Sequence, residues 1–104
     1  TNPAILRMLK QTIDAAHKCG IWAGICGEMA ADPVITPLLV GLGIDELSVA
    51  PSAVPLVKDA IRSLKFRETE SLAKSAMECR SSMEVLYQCR KMIKQAAPEL
   101  MELI

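Results

Sequence analysis

Apolar residues recur at helical spacing along most of the chain, and two short continuous apolar runs interrupt the pattern. Ile5, Leu9 and Ile13 repeat every fourth residue, and Leu6 and Ala16 widen their stripe, which is the signature of a helix with one buried face. Asn2 suits its N-cap and Pro3 its first position, where an N–H has no partner to lose. Gly20, after Cys19, fits its C-terminal cap. Ile21-Trp22-Ala23-Gly24-Ile25 follows. This run is too short for a helix and is bounded by turn residues, so it predicts a buried strand with Trp22 in the core. Cys26, Gly27 and Glu28 then lie at the strand's C-terminal end.

A second helix is predicted from Asp32 as cap and Pro33 as first residue, through Leu38, Leu39 and Val40, to a stop at Gly41 or Gly43. Pro37 removes one backbone donor inside it and disturbs its first turn. Gly41 and Gly43 are read as turn residues. Glu46-Leu47-Ser48-Val49 predicts another short strand, and Ser52 suits the cap of a third helix with Val54, Val57, Ile61 and Leu64 as its apolar face. Helix, strand, helix, strand, helix in this order implies parallel strands joined by right-handed crossovers.

No strand pattern appears beyond Phe66. Residues 67–79 predict an amphipathic helix with Leu72, Ala73, Ala76 and Met77 inward. Ser81 and Glu84 have capping-box spacing and open a longer helix, with Met83, Leu86 and Ile93 along one side, that Pro98 stops near Ala97. The tail from Glu99 to Ile104 is apolar enough to dock, but its pattern fixes no conformation. No repeat, low-complexity tract or linker divides the chain.

Composition narrows the picture. A chain of 104 residues makes one small domain with a modest core. With three aromatic residues in all, that core must be built from Leu, Ile, Val, Ala and Met. Twelve basic residues balance twelve acidic ones, which removes the electrostatic case for a nucleic acid or an anionic membrane as partner. No apolar run approaches the roughly 20 residues of a membrane span. Thr1-Asn2-Pro3 offers neither a basic nor an apolar signal region, and the missing initiator methionine suggests a fragment or a processed product. Cys19, Cys26, Cys79 and Cys89 form no C-x-x-C pair and His17 is the one histidine, so the ligands of a zinc site are lacking. Without a secretion signal, reduced thiols in the cytoplasm are expected.

The most informative stretch runs from Gly24 to Val49, GICGEMAADPVITPLLVGLGIDELSV. Gly24, Cys26, Gly27 and Glu28 give a G-x-C-G-E core. Asp32 follows, then the aliphatic run Leu38-Leu39-Val40. Gly41, Gly43, Asp45 and Glu46 give G-x-G-x-D-E, and Leu47-Ser48 opens a short strand. This resembles the C-terminal signature of enzymes that take a phosphoryl group from phosphoenolpyruvate. Within them it is most similar to the enzyme I family of the bacterial sugar phosphotransferase system. The resemblance continues through Val54-Pro55-Leu56-Val57-Lys58, covers residues 1–65 strongly and covers the last helices loosely.

The resemblance implies an α/β chain: the C-terminal (βα)2 portion of a TIM (β/α)8 barrel over residues 1–65, followed by two C-terminal helices over 66–104. It implies phosphoenolpyruvate and Mg2+ as ligands of the complete barrel. It implies Cys26 as the residue that protonates the enolate when pyruvate forms. The phosphoryl group then goes to a histidine in another domain and on to a histidine phosphocarrier protein, and the enzyme is a homodimer through this domain. His17 is not that phosphorylated histidine, because the family's Gly-Gly-x-Thr-Ser-His motif is absent. The family's phosphate-binding arginines and acidic Mg2+ ligands come from earlier strands, so no metal or substrate ligand transfers to this chain. A pyruvate phosphate dikinase or phosphoenolpyruvate synthase shares the cysteine loop and is the rival within the class. The continuous run from Thr36 to Gly43, followed by Asp45 to Ser48, favours enzyme I.

The residues agree with that chemistry. Barrel active sites lie at the C-terminal ends of strands, where Cys26 falls. A free thiol, with a pKa of about 8.5, is mostly protonated at neutral pH and can act as an acid toward carbon. Gly24 and Gly27 leave room beside it for a small substrate. Cys19, Cys79 and Cys89 read as packing residues, and His17 as a surface or capping residue. Two roles stay open for Glu28, orienting the loop or bonding to backbone donors. Met77, Met83 and Met92 read as core or interface, and Lys58, Arg62, Lys65 and Arg67 as a solvated face. Two strands cannot close a barrel, and their edges leave backbone groups unpaired. The chain alone is therefore expected to be inactive and to self-associate or rearrange. In the competing non-enzymatic reading, residues 67–104 are a helical association module.

Overall fold

The computed structural model describes residues 1–104. Helix α1 (Pro3–Lys18) starts as its sequence predicts, with Asn2 Oδ1 accepting the Ala4 N–H at 2.8 Å. It ends at Gly20, where the Ile21 N–H turns back to the Ala16 carbonyl at 3.0 Å. Strand β1 (Gly24–Cys26) is shorter than the apolar run, because only its last residues reach the partner strand. Trp22 is 80% exposed rather than core. Side chains alternate along an extended segment, so Trp22 shares the outward side of Gly24 and Cys26.

The second predicted helix is two. A single turn, α2 (Glu28–Ala31), stops at Asp32, whose carboxylate accepts the Val34 N–H at 2.9 Å. Helix α3 (Thr36–Leu42) starts later, with Pro37 rather than Pro33 in its first turn. Asp32 thus closes the connecting turn and does not cap α3. Gly43, at φ 95°, ends α3 in the left-handed region that only glycine enters easily. Strand β2 (Glu46–Ser48) follows. A 3-10 turn (Pro51–Ala53) then leads into α4 (Val54–Arg62), whose N-cap is Ala53, without a side-chain bond from Ser52.

Helix α5 (Phe66–Glu78) buries Thr69, Leu72, Ala73 and Ala76. Arg7 of α1 donates to the Met77 carbonyl at 2.8 Å and so satisfies the last turn of α5. Helix α6 (Ser82–Ala96) has the capping pair the spacing predicts. Ser81 Oγ accepts the Glu84 N–H at 3.3 Å, while Glu84 reaches back to the Arg80 N–H at 3.2 Å. Its buried stripe is Val85, Cys89 and Ile93, with Leu86 half-buried beside it. Met83 lies roughly 200° around the helix from Val85 and is 80% exposed, not core. The tail forms α7 (Pro98–Leu103), which docks through the buried Leu100.

The two strands pair in parallel, as the alternating order predicts, in the register Gly24 to Glu46, Ile25 to Leu47 and Cys26 to Ser48. The core nonetheless centres on a helix. Thr36, Pro37, Leu38, Leu39, Gly41 and Leu42 of α3 are all buried, wrapped by α5, α1 and α6. Each fully buried Leu contributes about 1.5–3 kcal/mol of transfer free energy. Gly41 is no turn residue. It lies within α3, where α5 crosses so closely that Thr69 leaves no room for a side chain. Ala60, Ile93 and Leu100 make a second small cluster joining α4, α6 and α7. No helix is long and apolar enough to cross a membrane.

Candidate functional site

Alternation along the strands divides the small sheet into two faces. Ile25 and Leu47 pack against the helical core. Gly24, Cys26, Glu46 and Ser48 are exposed on the opposite face. Cys26 is the last residue of β1 and lies opposite Ser48, the last of β2, so both stand at the carboxyl edge of a parallel pair. Ser48 Oγ donates to Glu46 Oε1 at 3.0 Å.

The chain leaves β1 through Gly27 at φ 94°, a conformation that strains any side-chain-bearing residue. This sharp exit starts α2 immediately and keeps the thiol at the rim. A Cβ on Gly24 would meet the Glu46 Cβ at 3.6 Å and the Glu46 carbonyl oxygen at 3.7 Å, both ordinary contacts. Glycine is therefore not sterically required there, but it leaves the face beside Cys26 bare. Glu28 is exposed in the only turn of α2 and takes no part in the bonds around the loop.

The amino ends of the strands are fixed by a residue to which spacing gave no role. The Asp45 N–H donates to the Ala23 carbonyl at 2.9 Å, and Asp45 Oδ2 accepts the Ala23 N–H, also at 2.9 Å. The same oxygen lies 2.6 Å from His17 Nε2. An ionised carboxylate only accepts, so Nε2 carries the hydrogen. The Ala23 N–H, and then His17, hold the Asp45 carboxyl below the usual carboxylate range. His17 is exposed in the last turn of α1, as the sequence predicts for a surface residue, and it also has a partner in Asp45. It ties the end of α1 to the start of β2.

The remaining thiols differ from one another. Cys19 is exposed, not packed, because it lies roughly 240° around α1 from the buried Ile13. Cys79 is half-buried, and burial, with Glu84 next, pushes its thiol up. Cys89 is fully buried, and burial pushes it up to about 12. Lys58, Arg62, Lys65 and Arg67 are exposed, as the sequence predicts for a solvated face.

A cavity of about 650 Å³ opens between β2 and α4, lined by Leu47, Val49, Val54, Val57, Ile61 and Phe66 among others. Neither Cys26, Gly27, Glu28 nor Ser48 reaches it, so it is separate from the thiol edge. No three His, Cys, Asp or Glu side chains converge to hold a metal ion. The residues present do not fit a magnesium site.

A model of the family described as PEP-utilising enzyme, PEP-binding domain, matches residues 1–66. The chain belongs to this family. The match contains both strands, the Cys26 loop and the His17–Asp45 pair, and stops where α5 begins. The phosphoenolpyruvate-protein phosphotransferase of Staphylococcus carnosus (strain TM300) is 47% identical over 85 residues, 82% of this chain and 15% of that protein. The multiphosphoryl transfer protein of Escherichia coli O6:H1 is 47% identical over 84 residues, 81% of this chain and 10% of that protein. The phosphoenolpyruvate-protein phosphotransferase of Buchnera aphidicola subsp. Schizaphis graminum is 37% identical over 92 residues, 88% of this chain and 16% of that protein. The chain therefore spans between a tenth and a sixth of the length of these relatives.

Proposed function

We propose that the chain supplies the proton-donating edge of a phosphoenolpyruvate–protein phosphotransferase, as the last two strand–helix units of a (β/α)8 barrel. The observation that carries this reading is the exposed Cys26 thiol at the carboxyl edge of a parallel strand pair, inside the segment matched to the PEP-utilising family. Barrel enzymes do their chemistry at that edge. When the phosphoryl group leaves phosphoenolpyruvate, an enolate remains. The Cys26 S–H bond breaks, a C–H bond forms at C3, and the electron pair stays on sulfur as pyruvate is made. A positioned acid of this kind contributes about 10²–10⁴ in rate.

On this reading the phosphoryl group passes to a histidine outside residues 1–104, then to a histidine phosphocarrier protein serving sugar uptake. The groups that bind phosphate, carboxylate and Mg2+ belong to preceding strands. The names of the relatives support a phosphotransferase over a dikinase or synthase. Four free thiols fit a reducing cytoplasm. Exposed Met83 and Tyr87 on α6 favour a second role, an association surface through which a homodimer forms.

The deciding experiment is Cys26→Ser in the full-length enzyme. Pyruvate formation should fall by about 10²–10⁴ with phosphoenolpyruvate binding retained. Unchanged turnover in pure mutant enzyme removes the acid role.

A further inference from the structure

The face that carries Cys26 also carries a hydroxyl. The register sets Ser48 directly across from Cys26 at the carboxyl edge. Both residues are exposed, on the side away from Ile25 and Leu47. Neighbouring strands lie about 4.8 Å apart, so the two short side chains rise next to each other. Glu46, two residues back on the same face, accepts the Ser48 hydroxyl proton at 3.0 Å. Gly24 stands opposite Glu46 and contributes no side chain, so the face beside the thiol is polar and open.

A thiol that gives its proton to carbon becomes an anion. Hydrogen bonds to anions are roughly twice as strong as those between neutral groups. A serine hydroxyl rotates freely about one bond and serves as donor or acceptor. Glu46 is exposed, so water replaces the serine proton at its carboxylate when the hydroxyl turns away.

We infer that Ser48 is a positioning residue for Cys26, its hydroxyl held by Glu46 at rest and turning to donate to the thiolate formed as carbon is protonated. The inference rests on the reading of Cys26 given above. Ser48 keeps its proton throughout. Only the S–H bond breaks and only a C–H bond forms, and the thiolate regains a proton from water in the next turnover.

The test is exchange of the pyruvate methyl hydrogens for deuterium in D2O, followed by NMR with the full-length protein. Exchange needs the thiol and its thiolate but no phosphoryl acceptor. Cys26→Ser should abolish it. Ser48→Ala should slow it about 10–100-fold, the worth of a hydrogen bond to a charged group, at an unchanged half-saturating pyruvate concentration. Ser48→Thr, which keeps the hydroxyl, should restore most of the rate. Wild-type exchange in Ser48→Ala beside an inactive Cys26→Ser overturns the Ser48 role and leaves Cys26 standing. Equal losses in Ser48→Ala and Ser48→Thr, or a loss confined to half-saturation, also overturn it, in favour of packing or binding. Wild-type exchange in Cys26→Ser overturns the reading of the thiol, and the Ser48 inference with it.

Discussion

A Cβ on Gly41 would lie 1.9 Å from the Thr69 carbonyl oxygen, closer than any non-bonded contact permits. The neighbouring atom is backbone of α5, so it cannot rotate aside. Helices α3 and α5 make the most extensive contact between elements in the molecule, and α3 carries the most completely buried face. Gly41→Ala should therefore force the two helices apart. Overpacking typically costs about 1–3 kcal/mol and occasionally more, and this site belongs at the upper end. The expected result is a large drop in melting temperature or loss of folded protein. A variant melting like the wild type would show that the helices are not in contact at this point.

Asp45 predicts a pH dependence whose sign is fixed. Its carboxyl is held below the usual value by the Ala23 N–H and by His17, so the folded state favours the ionised form more than the unfolded chain does. That stabilisation is fully present above the unfolded value, about 4. It is lost as pH falls through the lower folded value. Melting curves of the wild type and Asp45→Asn should differ most above about pH 4 and converge in acid. A gap between the curves that is constant through the acid range would mean that charge at Asp45 plays no part.

Local patterns were legible where one short segment carries the whole signal. Asn2, Ser81 and Gly43 terminate their helices as their types predict, and the Cys26 loop lies at the end of its strand. Two of the misses depend on partners distant in sequence. His17 and Asp45 are 28 residues apart, and neither has neighbours that announce the pairing. Gly41 looks like a turn glycine until Thr69 is set against it. Trp22 and Met83 show that apolar character alone does not bury a residue. Helical or strand phase decides, and both residues fall on the wrong side of their element. The break between α2 and α3 was hidden because Pro33 and Pro37 suit a first turn equally well.

The four thiols should separate by reactivity. Cys19 and Cys26 are exposed and should react with iodoacetamide in the native protein, whereas buried Cys89 should react only after unfolding. Cys79 should lag behind the exposed pair, because burial and Glu84 disfavour its thiolate. Cys89 adds an alkaline effect. Its thiol is raised from 9.0 to about 12, so the folded state holds a proton that the unfolded chain releases first. Stability from this group is intact below about pH 9 and falls as pH climbs toward 12. Cys89→Ala should flatten that alkaline limb and lower overall stability by leaving a small cavity. Mapping labelled peptides by mass spectrometry checks the order, and native labelling of Cys89 ahead of Cys26 would contradict it.

The apolar surfaces predict how residues 1–104 behave alone. Leu47, Val54, Val57 and Ile61 line an open groove beside β2, and Phe66 at its rim is 55% exposed. Ile5, Met8, Ile21 and Trp22 are further exposed apolar side chains outside that groove. Each strand of the two-stranded sheet also has one unpaired edge, a ready template for further pairing. Solvated apolar surface of this kind favours association at about 25 cal/mol per Å² buried. Sedimentation of the isolated chain should show concentration-dependent oligomers. Val54→Lys with Ile61→Lys, which place charges in the groove, should shift the distribution toward monomer. A sharply melting monomer at every concentration would mean that the open groove and strand edges do not drive association.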